Sequence, residues 1–242
     1  MTIDNKLDIT FTDPTLPTMP HGVGVIPAGG ETPYRWLADD LTGEAGSLVT
    51  TWRETNGAGN LTGGGASLAT VAGYKSVAFD GSNGLQIASG SPLPSSRGTI
   101  CGVARLSPAA LEATRYGLIA LSSSVNVSDG KISKETSGKM LFDRIGTADV
   151  KVASADSILP GQFFTFGFSQ RTAGAVAMLN GVNFAVGAGD IGGFARFFLG
   201  TIGSGVNWLG NVFELALWNE GLVASHFTQF HNAMKTHYSF IQ

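Results

Sequence analysis

Charge is the scarcest ingredient of this 242-residue chain. Asp, Glu, Lys and Arg make up 14% of it, well under the quarter usual for a globular protein. No cluster of Lys or Arg stands along it that could neutralise a row of phosphates, and the net charge is −3, which argues against a nucleic-acid partner. Cysteine is nearly absent. The single Cys101 lies in an apolar run, forms no internal disulfide and fits folding in a reducing cytosol. No stretch approaches the roughly 20 apolar residues that span a bilayer, so no membrane insertion is expected. Met1 to Asp8 is polar and lacks the apolar segment of a secretory signal. The sequons at Asn60 and Asn126 are accordingly read as coincidental.

Several catalytic signatures are missing too. No Glu-x-Asp-x-x-Glu run supplies the paired carboxylates of a glycosidase. Gly-x-Ser-x-Gly does not occur, and the glycine-rich run 56–65 lacks the Gly-Lys-Ser/Thr ending of a phosphate loop and reads as a flexible inter-strand loop. Of the four histidines, His226, His231 and His237 fall near the C-terminus without the i, i+4 spacing of a metal pair and read as surface residues, as does His21.

What is present is glycine (34 residues) and a hydrophobic content of 43%, enough for a substantial core broken into short elements. Residues 1–33 hold five of the nine prolines, Pro14, Pro17, Pro20, Pro27 and Pro33. Proline lacks a backbone donor and drives its predecessor towards extended conformations. This segment is expected to be an extended arm for assembly or anchoring, with one strand near Leu7–Phe11. From Tyr34 onward, short β runs alternate with turn signals. Phe164, Phe166 and Phe168 alternate along one strand, and Asn180-Gly181 between two β runs predicts a two-residue hairpin with a type I′ turn. In the last strand, alternation places Phe213, Leu215 and Leu217 on one face and Val212, Glu214, Ala216 and Trp218 on the other. Val223, Phe227, Phe230 and Met234 then recur at helical spacing, predicting a closing helix with one apolar stripe.

Six runs occur in order: Trp36-Leu-Ala-Asp-Asp-Leu41, Val49-Thr-Thr-Trp52, Ser76-Val-Ala-Phe-Asp-Gly81, Leu159-Pro-Gly-Gln162, Leu179-Asn-Gly-Val182 and Phe213-Glu-Leu-Ala-Leu-Trp-Asn219. Together they resemble concanavalin A-like (LamG/pentraxin-type) jelly-roll domains, in the bacterial and bacteriophage version that ends in a strand of this kind and a short helix. The resemblance spans Tyr34 to Tyr238 and implies an all-β concanavalin A-like sandwich over residues 34–242. One departure concerns the helix start. The family places a capping Thr or Ser after Leu222, and here Val223 follows, so the start depends on Gly221 or shifts towards Ser225. In this pattern Trp36, Trp52 and Trp218 are core residues; Glu214, alone in an apolar strand, is read either as a buried acid with a raised pKa or, as the pattern implies, as a paired or edge carboxylate. Such folds use oxygen-rich loops for calcium, and Asp39-Asp40 and Asp80 to Asn83 supply too few ligands for one; no metal and no cofactor are expected.

Three functions compete. The first is a non-enzymatic virion structural protein of a bacteriophage (capsid decoration, collar or tail), made in the bacterial cytoplasm. It would be anchored by residues 1–33 to other virion proteins and to copies of itself, with bacterial surface glycan as a further ligand. The second is a carbohydrate-binding lectin or receptor-binding module, and the third a glycoside hydrolase or lyase. No catalytic residues are assigned. Sugar binding needs an exposed ring beside amide groups, and Asn207-Trp208 in a turn-rich loop is the local candidate.

Overall fold

In the computed structural model the described residues are 34–242 apart from 56, 58, 83, 88–97, 123–129, 145–149, 171–173, 187–195 and 204. The expected arm, residues 1–33, lies outside them. So do most of the residues around the sequon Asn126.

The alternating patterns form strands as expected. They build two antiparallel sheets. Sheet A holds β1 (Tyr34–Leu37), β4 (Ala66–Val71), β5 (Tyr74–Asp80), β7 (Gly98–Leu106), β12 (Phe163–Gln170), β13 (Ala175–Leu179), β14 (Val182–Val186) and β16 (Leu209–Trp218). Its order is β14-β13-β12-β7-β16-β5-β4, with β1 also paired to β16. Sheet B holds β2 (Thr51–Trp52), β3 (Leu61–Gly63), β6 (Leu85–Ile87), β8 (Tyr116–Ser122), β9 (Gly130–Lys134), β10 (Lys139–Arg144), β11 (Val150–Ser157) and β15 (Arg196–Leu199), in the order β11-β10-β9-β8-β15-β6-β3-β2. A helix, α1 (Ala224–His237), closes the described chain. The described residues form a jelly-roll-like β-sandwich with one α-helix.

The inner faces of the two sheets form the main core. Phe164, Phe166 and Phe168 point into it from β12, as their spacing predicts, and meet Phe142 and Phe197 from sheet B. Trp36 and Trp52 are fully buried there, each donating its indole N–H to a backbone carbonyl: Trp36 to Gly59 (2.9 Å) and Trp52 to Leu37 (3.0 Å). The Asn180-Gly181 turn takes the expected form, with positive φ at both residues and Leu179 paired to Val182.

A second core lies on the outer face of sheet A. There Cys101, Val103, Met178, Phe213, Ala216 and Trp218 are covered by Phe227, Phe230 and Met234 of α1 and by Tyr238 and Ile241. Gly167 sets the docking distance: a Cβ at that position would stand 2.7 Å from the Phe227 ring. The expected stripe is therefore correct at three positions, but Val223 is only half-buried and caps the helix without a side-chain acceptor. Residues before the helix are instead held by β7, where the Thr99 hydroxyl accepts the Leu222 N–H at 2.9 Å.

Two expectations are corrected. In β16, Val212 faces the inter-sheet core with Leu215 and Leu217, whereas Phe213 faces the helix with Ala216 and Trp218. A β-bulge against β7 causes this. Val212 pairs with Ala104 and Glu214 with Val103, so Phe213 is an extra residue and the alternation changes phase. The glycine-rich run 56–65 also contains β3, which pairs with both β2 and β6.

Candidate functional site

The segment from Gly46 to Trp52 begins on one sheet and ends on the other. Ser47 and Val49 bond the edge of β4: Leu68 N–H donates to Ser47 O (2.8 Å) and Val49 N–H to Ala66 O (2.9 Å). Two residues later the chain enters sheet B as β2, where Thr51 pairs with Thr62. A one-turn 3-10 helix, Ala38–Asp40, approaches the same edge. It is fixed by Lys75, whose ammonium donates to the Leu41 carbonyl at 2.6 Å and reaches the Asp39 carbonyl at 3.4 Å.

These two elements enclose a cleft of about 460 Å³ at the open edge of the sandwich. That volume lies within the range of about 300–1,000 Å³ common for small-molecule sites. Asp40, Thr42, Ser47, Thr50, Thr51 and Arg53 supply its polar groups. All six are exposed, and among the described residues none of their side chains has a hydrogen-bond or ion-pair partner. Leu41, Val49 and Leu68 form an apolar wall, and Leu48, 64% exposed, stands between this cleft and a smaller one of about 220 Å³ over β4 and β5. The larger cleft thus presents a cationic donor, an anionic acceptor and hydroxyls that can do either, beside an apolar surface. Among the described residues that line it, Asp40 is the one carboxylate.

Trp208, expected to offer its ring to a sugar, is instead at 0% exposure in the inter-sheet core, edge-on to Phe164. As placed, the ring has no face open to a ligand, so the expected stacking role is corrected. The turn-rich sequence before it suggested a loop, but Trp208 directly precedes β16 and follows its core periodicity. Asn207 is also occupied: its amide donates to the Gly81 and Ser82 carbonyls, both at 3.0 Å.

Glu214 is the most perturbed acid. It is fully buried, 3.0 Å from Arg35 Nη2, with the Tyr238 hydroxyl donating at 3.5 Å. Burial pushes its carboxyl up to about 7, partly opposed by Arg35 and the Tyr238 hydrogen bond. The Arg35 main-chain N–H in turn donates to Glu54. Glu214 faces the helix side, away from the cleft, and is the paired carboxylate anticipated for that position. His231 is not a surface residue: it is buried, its Nδ1 2.8 Å from the Thr165 hydroxyl, and a Cβ on Gly181 would strike its ring. Asp80 accepts from the Ser82 N–H (2.9 Å) and hydroxyl, closing the strand-ending turn, and these bonds lower its carboxyl. Among the described residues no group of three or more His, Cys, Asp or Glu could hold a metal ion. No helix there is long and apolar enough to cross a membrane.

Neither a protein-family model nor a curated protein matches the sequence. Solved structures do match its fold. Domain 4 of AbnA, a GH43 extracellular arabinanase from Geobacillus stearothermophilus solved with arabinotriose, is 19% identical at a TM-score of 0.60, covering 78% of this chain and all of that domain. Trypanosoma rangeli sialidase is 14% identical at a TM-score of 0.63, covering 88% of this chain and 35% of the sialidase. The binding domain of botulinum neurotoxin DC, solved with SialylT, is 11% identical at a TM-score of 0.57, covering 78% of this chain and 51% of that one. At these identities the likeness establishes the β-sandwich fold. The chain spans about a third of the sialidase and half of the neurotoxin domain.

Proposed function

We propose that this chain is a carbohydrate-binding β-sandwich module of the concanavalin A-like kind, which holds a glycan in the cleft between Ala38–Asp40 and β2 without cleaving it. The observation that carries the reading is the cleft: six exposed polar side chains that have no partner among the described residues, beside an apolar wall. A sugar combines hydroxyls that both donate and accept with apolar C–H surface, and this lining answers both. The complexes of structurally similar domains with arabinotriose and with SialylT support the same class of ligand. Binding without chemistry is supported by the single carboxylate of the cleft and by the ion pair that holds Glu214 inside the molecule. A glycan array probed with the full chain is expected to give selective binding that Arg53→Ala and Asp40→Ala each abolish. Silence across the array, or binding indifferent to both substitutions, overturns the proposal.

A second reading is a bacteriophage virion component tethered through residues 1–33. It rests on the proline-rich composition of that segment. None of the neighbours named above is described as viral. Deleting residues 1–33 is expected to leave a folded sandwich that no longer joins particles; normal incorporation counts against the tether.

A further inference from the structure

The outward row of sheet B runs out of the cleft. Register alone fixes it. Thr51 pairs with Thr62, Thr62 with Gln86, Gln86 with Phe198 and Phe198 with Ala120. Their chain neighbours Trp52, Leu61, Leu85, Ile87, Phe197, Leu199, Ile119 and Leu121 are buried in the inter-sheet core, so this row points the other way. Thr51, Thr62 and Gln86 are exposed, and Phe198 is half-buried.

Phe198 is the anomaly. An outward aromatic in a polar row is not needed by the core, and it belongs to neither buried cluster. On one side it has Gln86, whose side-chain amide has no partner among the described residues; on the other it has Ala120, which is buried and closes the exposed stretch of the row. The row from Thr51 to Ala120 carries no charge, and Lys131 follows only at the next strand. From Thr51, a lining residue of the cleft, to Phe198 is three inter-strand steps of about 4.8 Å, roughly 14 Å, the reach of two to three sugar rings laid end to end.

We infer that the cleft is one end of an extended site, and that its ligand is an uncharged oligosaccharide laid across β2, β3, β6 and β15 with a sugar ring stacked on Phe198. This rests on the carbohydrate reading above and specifies the ligand as a chain rather than a single sugar. The hydroxyl of Thr51 and the amide of Gln86 serve the hydroxyls of the intervening units. Phe198 adds an aromatic face to the aliphatic wall that Leu41, Val49 and Leu68 give the cleft.

The test is calorimetric titration of the full chain with length ladders, monomer to hexamer, of arabino-, xylo-, cello- and malto-oligosaccharides. On the ladder that binds, affinity is expected to rise with length up to three or four units and then level. Phe198→Ala is expected to weaken the tetramer about tenfold while leaving the monomer unchanged, the loss of one stacked ring. Gln86→Ala is expected to give a smaller loss of the same pattern. Because both side chains point outward, the melting temperature of each variant should match the parent. If the parent binds monomer and hexamer equally, or Phe198→Ala binds every length like the parent, the extended site is overturned and the cleft reading stands. If length dependence persists in Arg53→Ala and Asp40→Ala, the cleft reading falls and the sheet row stands. No binding on any ladder overturns both. Concentration-dependent dimerisation abolished by Phe198→Ala would assign the face to a second copy of the chain and overturn the inference.

Discussion

The outer faces of the two sheets obey the same alternation and meet opposite fates. On sheet A the outward residues are Cys101, Val103, Met178, Phe213, Ala216 and Trp218, and a helix covers them. On sheet B the outward row starts with Thr51, Thr62, Gln86 and Phe198, which stay exposed or half-buried, and ends at Ala120, which is buried. The inner faces of both are apolar, so the inner residues do not distinguish the sheets. The outward ones do: the apolar outer face of sheet A is covered, whereas the polar stretch Thr51, Thr62 and Gln86 of sheet B is exposed. The outer face of sheet A is therefore committed to stability, and on the function proposed above the exposed stretch of sheet B from Thr51 to Phe198 serves recognition.

The largest test of that division is on the covered side. Phe227 is fully buried between Gly167 and the helix, and Phe227→Ala is expected to cost about 3–5 kcal/mol in urea unfolding, with no change in glycan affinity measured on the folded fraction. A loss under about 1 kcal/mol would mean that the helix is a loose lid.

The next test uses the ion pair beneath the same cover. Glu214 is raised from its ordinary 4.5 to about 7 in the folded chain. Its protonated form is therefore favoured by folding. Its contribution is fully present below pH 4.5, declines as pH rises through the interval from 4.5 to about 7, and changes no further above it. Glu214→Gln should flatten that slope in a urea-midpoint series from pH 4 to 8; an unaltered slope would assign it to another group. Removing the partner by Arg35→Met should cost about 3 kcal/mol at pH 8, where the carboxylate is left charged and buried, and less at pH 5, where it can take a proton.

The smallest effects are expected on the open side. Arg53→Ala and Phe198→Ala should each change stability by no more than about 0.5 kcal/mol, because neither side chain packs in a core. Thermal melts alongside binding titrations check this. A drop in stability as large as that from Phe227→Ala would mean that sheet B is not a free face.

How much of this could be read from the chain depends on range. Phe164, Phe166 and Phe168, the Asn180-Gly181 turn and the Phe227, Phe230, Met234 stripe are set by neighbours a few residues away, and each is where its spacing puts it. The phase change at Phe213 was not legible, because a bulge is a property of two strands, and β7 lies far back in sequence. His231 looked solvent-exposed because its partner Thr165 is 66 residues distant. Trp208 looked like a loop aromatic because the glycines before it hide the start of β16. The cleft had no signature at all. Ser, Thr, one Asp and one Arg form no motif, and what brings them together is the passage of residues 46–52 from one sheet to the other. The outward position of Phe198 could be found only once register was known, since Phe197 beside it is equally aromatic.

Strand β16 is bonded to β7, β5 and β1 at once, and Arg35 on β1 meets Glu214 from 179 residues away. During synthesis the earlier three must wait, their edges unsatisfied, until the ribosome has delivered the late central one. Contacts of such separation make for slow closure and a long aggregation-prone interval. A chain halted before Leu209 is expected to be digested rapidly by protease, and the complete one to resist.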